Sequence, residues 1–104
     1  MLFRSAQMLR NAIQNGYEEG FRAGQADRQD GWRFDYQNSY GYQDANYGYD
    51  GYYVDSNEYN YYFREGFRRG YEDGYYNRNQ YGRNYNGKYT ILGAVLGAIL
   101  DLIF

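Results

Sequence analysis

Two stretches of this 104-residue chain carry glycine at every fourth position: Gly16, Gly20 and Gly24, then Gly66, Gly70 and Gly74. They belong to an internal repeat. Glu19–Asp27 reads EGFRAGQAD, and Glu65–Asp73, 46 positions on, reads EGFRRGYED. Residues four apart share one face of an α-helix, so each trio draws a smooth stripe along one side. A glycine inside a helix costs about 1 kcal/mol relative to alanine, so six of them forgo roughly 6 kcal/mol of helix propensity. The physical gain that offsets such a loss is a very close approach by another backbone, the steric logic of small-residue helix pairing. A flexible linker would also be rich in glycine, but linkers keep no four-residue phase. Here Glu18 precedes Arg22 and Glu65 precedes Arg69 by four, the favourable order for helical ion pairs.

The apolar residues Leu2, Ala6, Leu9, Ile13, Tyr17 and Phe21 recur at helical spacing, as do Phe63, Phe67, Tyr71 and Tyr75. Asp55 and Glu58 have the spacing of a capping box. Together these signals predict a single, mainly α domain over 1–104. Helices at 2–29 and 56–78 form a hairpin through an irregular Tyr/Gly/Asn-rich connector, 30–55; a polar loop, 79–89, leads to a short apolar C-terminal helix within 90–104. In the connector Trp32, Phe34 and Tyr36 alternate, which suits an extended strand or a stack of aromatic rungs. With Phe63, Phe67 and Tyr71 they are the expected aromatic contacts.

The last segment repeats the small-residue spacing with Gly93 and Gly97. As a helix it has a bulky side of Ile91, Leu92, Val95, Leu96, Ile99, Leu100 and Ile103, and a lean side of Gly93, Ala94, Gly97, Ala98 and Asp101. Eight of the twelve Leu, Ile and Val residues lie in the final fourteen positions. A small body could hardly cover such a patch, and uncovered patches of that kind mark interfaces. The expectation is therefore a core shared between copies, with Ile91, Leu92, Val95, Leu96, Ile99, Leu100, Ile103 and Phe104 at the assembly interface and all eight glycines as helix-contact stripes. As a helix the apolar run is too short to cross a bilayer, which takes roughly 20 residues.

The chain has neither Cys nor His, which removes disulfides, thiolate nucleophiles and the commonest general base and metal ligand. The pairs Asp27/Asp30 and Glu72/Asp73 do not match a calcium loop, and are read as solvated or ion-paired with Arg22, Arg28 and Arg69. The glycines do not fit a phosphate-binding fingerprint, and a net charge of -2 without a basic run argues against nucleic acid. No enzyme, cofactor, metal or small-molecule substrate is expected. Ten Arg beside 17 Tyr suit cation–π and hydrogen-bond cohesion instead.

GYEEGFRAGQADR, the tyrosine-studded middle and YYFREGFRRGYEDGYY resemble a group of small uncharacterised bacterial proteins, many of them exported, with paired Gly-aromatic-x-x-Gly helices. The resemblance spans most of 14–78 and implies a bacterial, exported protein, although the N-terminus has no apolar stretch of signal-peptide length. The leading expectation is a self-assembling homopolymer, a filament or tube outside the cell or on its envelope. The alternatives are an envelope protein seated on a membrane by its tail, and a module whose exposed Tyr and Trp stack on surface glycans.

Overall fold

The computed structural model describes residues 3–100, with side chains from residue 5. Helices α1 (Phe3–Gln29), α2 (Tyr40–Asp44), α3 (Ser56–Tyr76) and α4 (Gly93–Ile99) are joined by a 3-10 turn at Tyr36–Asn38 and an antiparallel pair of strands, β1 (Gly82–Tyr85) and β2 (Lys88–Ile91). The two long helices match the expected bounds closely. Asp55 caps α3 by accepting from the Glu58 amide at 2.8 Å, and Glu65 bonds Arg69 at 3.0 Å.

The glycine stripes of α1 and α3 face each other within one chain. A Cβ built on Gly16 falls 2.9 Å from the carbonyl carbon of Phe63 and nearer still to its oxygen; Gly20 meets Phe67 and Gly24 meets Tyr71 in the same way. In return Gly66 meets Ile13, Gly70 meets Tyr17 and Gly74 meets Phe21. Both sets of contacts rise together along the sequence, so the helices run parallel and the expected hairpin is incorrect. Each contact maps onto its reciprocal when residue i is exchanged for residue i+50, a local pseudo-twofold along the pair. The hydrogen that replaces each Cβ points at a carbonyl oxygen, a Cα–H···O contact worth about 0.5–1 kcal/mol. Six of these recover much of the lost helix propensity.

The packing register of 50 differs from the sequence repeat of 46 by one helical turn, and the helix ends explain why. α1 ends with Gly31 at φ 75°, the Trp32 amide donating to the Asp27 carbonyl at 2.8 Å and the Gly31 amide to Arg28 at 3.2 Å. α3 ends likewise with Asn77 at φ 52°, Arg78 donating to Asp73 at 2.9 Å and Asn77 to Gly74 at 3.3 Å. Both are left-handed helix stops of the Schellman type. The repeat aligns these stops; the glycines align the packing; the helices therefore finish one turn apart.

The pseudo-twofold turns the large residues of the two helices to opposite sides. The row Tyr59, Phe63, Phe67, Tyr71 and Tyr75 of α3 is buried under the connector, with Met8, Ala12 and Ala45 and against Phe34, Tyr36, Tyr42 and Tyr49. The row Leu9, Ile13, Tyr17 and Phe21 of α1 is buried with Ile91 and Leu100 under the C-terminal half. The helix pair is thus the middle of three layers.

The connector forms no strand at Trp32–Tyr36: Gly31 stops α1, and the chain then turns through the 3-10 segment into α2. The polar loop expected at 79–89 instead contains a hairpin. Asn86 and Gly87, at φ 54° and 78°, supply the two positive angles a type I′ turn requires. The Gln14 side chain lies along the outer edge of β2, donating to the Tyr89 carbonyl at 2.8 Å and accepting from the Ile91 amide at 3.0 Å. α4 follows, shorter than the expected 90–104 segment.

Candidate functional site

A cleft of about 730 Å³ opens between α1 and the connector, lined by Glu19, Arg22, Ala23 and Asp27 of α1, by Trp32, Arg33, Asp35, Asn38, Ser39, Tyr40 and Gly41, and by Phe67 beneath. Its shape is fixed by α3. Tyr75 donates its hydroxyl to the Trp32 carbonyl at 2.7 Å, and the Tyr71 hydroxyl accepts from the Asp35 amide at 3.2 Å, so two buried phenols hold the wall segment Trp32–Asp35. Arg64 donates to the carbonyls of Tyr42 and Gln43 at 2.8 and 2.7 Å, closing the C-terminal end of α2. Gly41 passes so close to the floor that an added Cβ would stand 3.2 Å from the Phe67 ring.

The Tyr71 hydroxyl also donates to Asp27 at 2.5 Å, orienting a cleft carboxylate. On the other side of the pair, Tyr17 donates to Asp73 at 2.8 Å, and this fully buried carboxylate also accepts from the amides of Tyr81 at 2.8 Å and Gln80 at 3.2 Å. Asp27 and Asp73 are the repeated aspartates, and each takes a tyrosine from the opposite helix. Burial, reinforced by the hydrogen bond to the carboxylate, holds both phenols well above the usual tyrosine range. Reading these acids as solvated, or as paired with Arg22, Arg28 and Arg69, is thereby corrected. Arg22 lies 3.6 Å from Glu18, Arg69 pairs with Glu65, and Arg28 covers the Tyr75 ring at 5.1 Å; Glu72 pairs with Arg78. No cluster of three acids suited to a metal occurs among the described residues.

At the cleft mouth Trp32 and Tyr40 are 66% and 75% exposed, although neither is needed by the core. Arg33, also exposed, makes no ion pair or hydrogen bond among the described residues, whereas Arg22 is 3.9 Å from Glu19. The cleft therefore combines free aromatic faces, three carboxylates, two guanidinium groups and the amide of Asn38, close to charge balance.

Of the other residues singled out in the sequence, Phe63, Phe67 and Tyr71 form a stacked ladder at 6.3 and 6.4 Å, and Phe34 packs edge-on to Tyr71 at 5.1 Å and Tyr36 at 6.0 Å. Trp32 joins no such ring contact among the described residues. Ile91 and Leu100 are buried within their own chain, and Leu92, Val95, Leu96 and Ile99 are half-buried, so the described part of the apolar tail is covered by α1 and not left bare. Ile103 and Phe104 lie outside the described residues. Among the described residues nothing comes within 4 Å of a Cβ added to Gly93 or Gly97, so there the lean side of α4 is open. No helix among the described residues is long and apolar enough to cross a membrane. Sequence reasoning missed Arg33, Asp35, Asn38 and Tyr40, which form a site only once the connector folds back over α3. No protein-family model, curated protein or solved structure matches the chain.

Proposed function

We propose that the protein is a non-catalytic binding module of the cell surface or its surroundings, taking neutral saccharide units in the cleft between α1 and the connector. The observation that carries this reading is the exposure of Trp32 and Tyr40 at the mouth of a cleft whose walls bear Asp27, Asp35, Asn38 and Arg33. A sugar ring offers an apolar face to an aromatic side chain and hydroxyls that both donate and accept. Carboxylates, amides and guanidinium groups at near charge balance answer those hydroxyls without selecting a charged ligand. The pinning of the wall by Tyr71 and Tyr75 supports a site ready before the ligand arrives.

Trp32 is the one tryptophan of the chain, so its emission reports the cleft directly. Neutral oligosaccharides should shift or quench that emission saturably, and Asp35→Ala should weaken the response at least tenfold without moving the melting midpoint. Silence in both fluorescence and calorimetry across a panel of neutral glycans, or saturable binding of nucleic acid alone, would refute the reading.

The homopolymer remains a second proposal on different grounds. Its support is the open lean side of α4, since the glycines of α1 and α3 are already engaged with each other. Sedimentation of the full chain beside Gly97→Leu tests it: concentration-dependent assembly lost in the variant favours it, and a monomer at every concentration removes it.

A further inference from the structure

Two sets of tyrosines differ in what their hydroxyls do. Those in the core spend their hydroxyls inside the fold: Tyr17 on Asp73, Tyr71 on Asp27, Tyr59 on the Tyr47 carbonyl at 2.6 Å, Tyr75 on Trp32 and Tyr49 on the Val54 carbonyl at 2.7 Å. Tyr47, Tyr52, Tyr61 and Tyr85 are 60%, 68%, 58% and 78% exposed, and their hydroxyls have no hydrogen-bond partner among the described residues. They stand in three places: Tyr47 and Tyr52 in the connector, Tyr61 near the start of the long helix α3, and Tyr85 before the hairpin turn.

We propose that these four tyrosines are sites of oxidative coupling, by which one copy of the chain is joined covalently to another through dityrosine bonds when a haem peroxidase and hydrogen peroxide act on it. Each of two tyrosines loses one electron and one proton to give a phenoxyl radical. The radicals join by a carbon–carbon bond ortho to the oxygens, and the two ring hydrogens move to oxygen to restore the phenols. The two electrons and two protons reduce one hydrogen peroxide to two waters, so two chains and one peroxide give one linked pair and two waters. Coupling between chains needs an ortho carbon that another molecule can touch, which the exposed rings offer and the buried ones do not. With no cysteine, the chain has no thiol to compete as a reductant or to supply a disulfide instead. One reactive phenol per chain would stop at dimers; four spread over three parts of the chain allow a network.

The test treats the purified full chain with a haem peroxidase and hydrogen peroxide. The products are read by denaturing gel, dityrosine fluorescence and mass spectrometry of the linked peptides. The expected result is a ladder beyond the dimer, with linkages at Tyr47, Tyr52, Tyr61 and Tyr85. A variant with all four changed to Phe should keep its circular dichroism and its Trp32 emission spectrum while its ladder intensity falls at least tenfold. A chain that stays monomeric under oxidation, an undiminished ladder in the variant, or linkages centred on Tyr17, Tyr59 or Tyr71 would each overturn the proposal. The saccharide reading stands or falls separately, because none of the four residues lines the cleft.

Discussion

The glycines of α1 and α3 and those of α4 obey the same four-residue spacing and meet opposite surroundings. In the long helices every stripe glycine lies against backbone of the facing helix, whereas no described residue comes near Gly93 and Gly97. Spacing therefore specifies a smooth face without specifying what covers it. What separates the two cases is the company of the glycines. Along α1 and α3 five of the six glycines are followed by an aromatic residue, Tyr17, Phe21, Phe67, Tyr71 and Tyr75, and Gly24 alone is not. The aromatic rows then close over the contact on both sides of the pair. In α4 the bulky residues turn inward to α1 and leave the lean side outward.

Alanine substitution reads this difference as a change of sign. Gly70→Ala should lower stability by about 2–3 kcal/mol in urea unfolding, because overpacking against the Tyr17 carbonyl exceeds the gain of about 1 kcal/mol in helix propensity. A variant as stable as the parent would mean that the helices do not approach this closely.

Alkali should loosen the same contact next. Tyr17 and Tyr71 ionise near 10.0 when unfolded and well above that when folded, so below pH 10 their contribution to stability is complete. As pH climbs past that point the unfolded chain loses phenolic protons that the folded chain retains, and stability falls. Tyr17→Phe should flatten the alkaline limb of the stability curve; an unchanged limb would dissociate the Tyr–Asp pairs from the helix contact.

The smallest effect has the opposite direction. Gly97→Ala should raise the stability of the monomer by up to about 1 kcal/mol, since propensity is gained and nothing is displaced. Destabilisation there would show that the lean side of α4 is covered after all.

Much of the helix pair was legible in the sequence because its signals are local: phase, capping and ion-pair order all act within a few residues. Direction was not local. The expected hairpin took no account of the connector's length: 26 residues lie between Gln29 and Ser56, more typical of a crossover than of a turn. The hairpin at β1 and β2 was announced by Asn86–Gly87, but its flanks, Arg83, Asn84 and Lys88, lack the alternation that would have drawn attention to it. The buried role of Asp73 was hidden for a different reason. Beside Glu72 it reads as one more surface acid, and only the approach of Tyr17 from 56 residues away, with the amides of Gln80 and Tyr81, makes it a buried acceptor. The cleft depends on that same kind of distant encounter.

Parallel pairing also fixes how far the chain must travel. In the register of the pair Ser56 stands level with Ala6, so the route back from Gln29 covers about 35 Å at 1.5 Å per helical residue. A fully stretched backbone makes that journey in roughly ten residues. The surplus is what coils into α2 and the turns beside it and so provides one wall of the cleft. Trimming it to the shortest workable tether would leave a glycine-seamed rod with no hollow beside it.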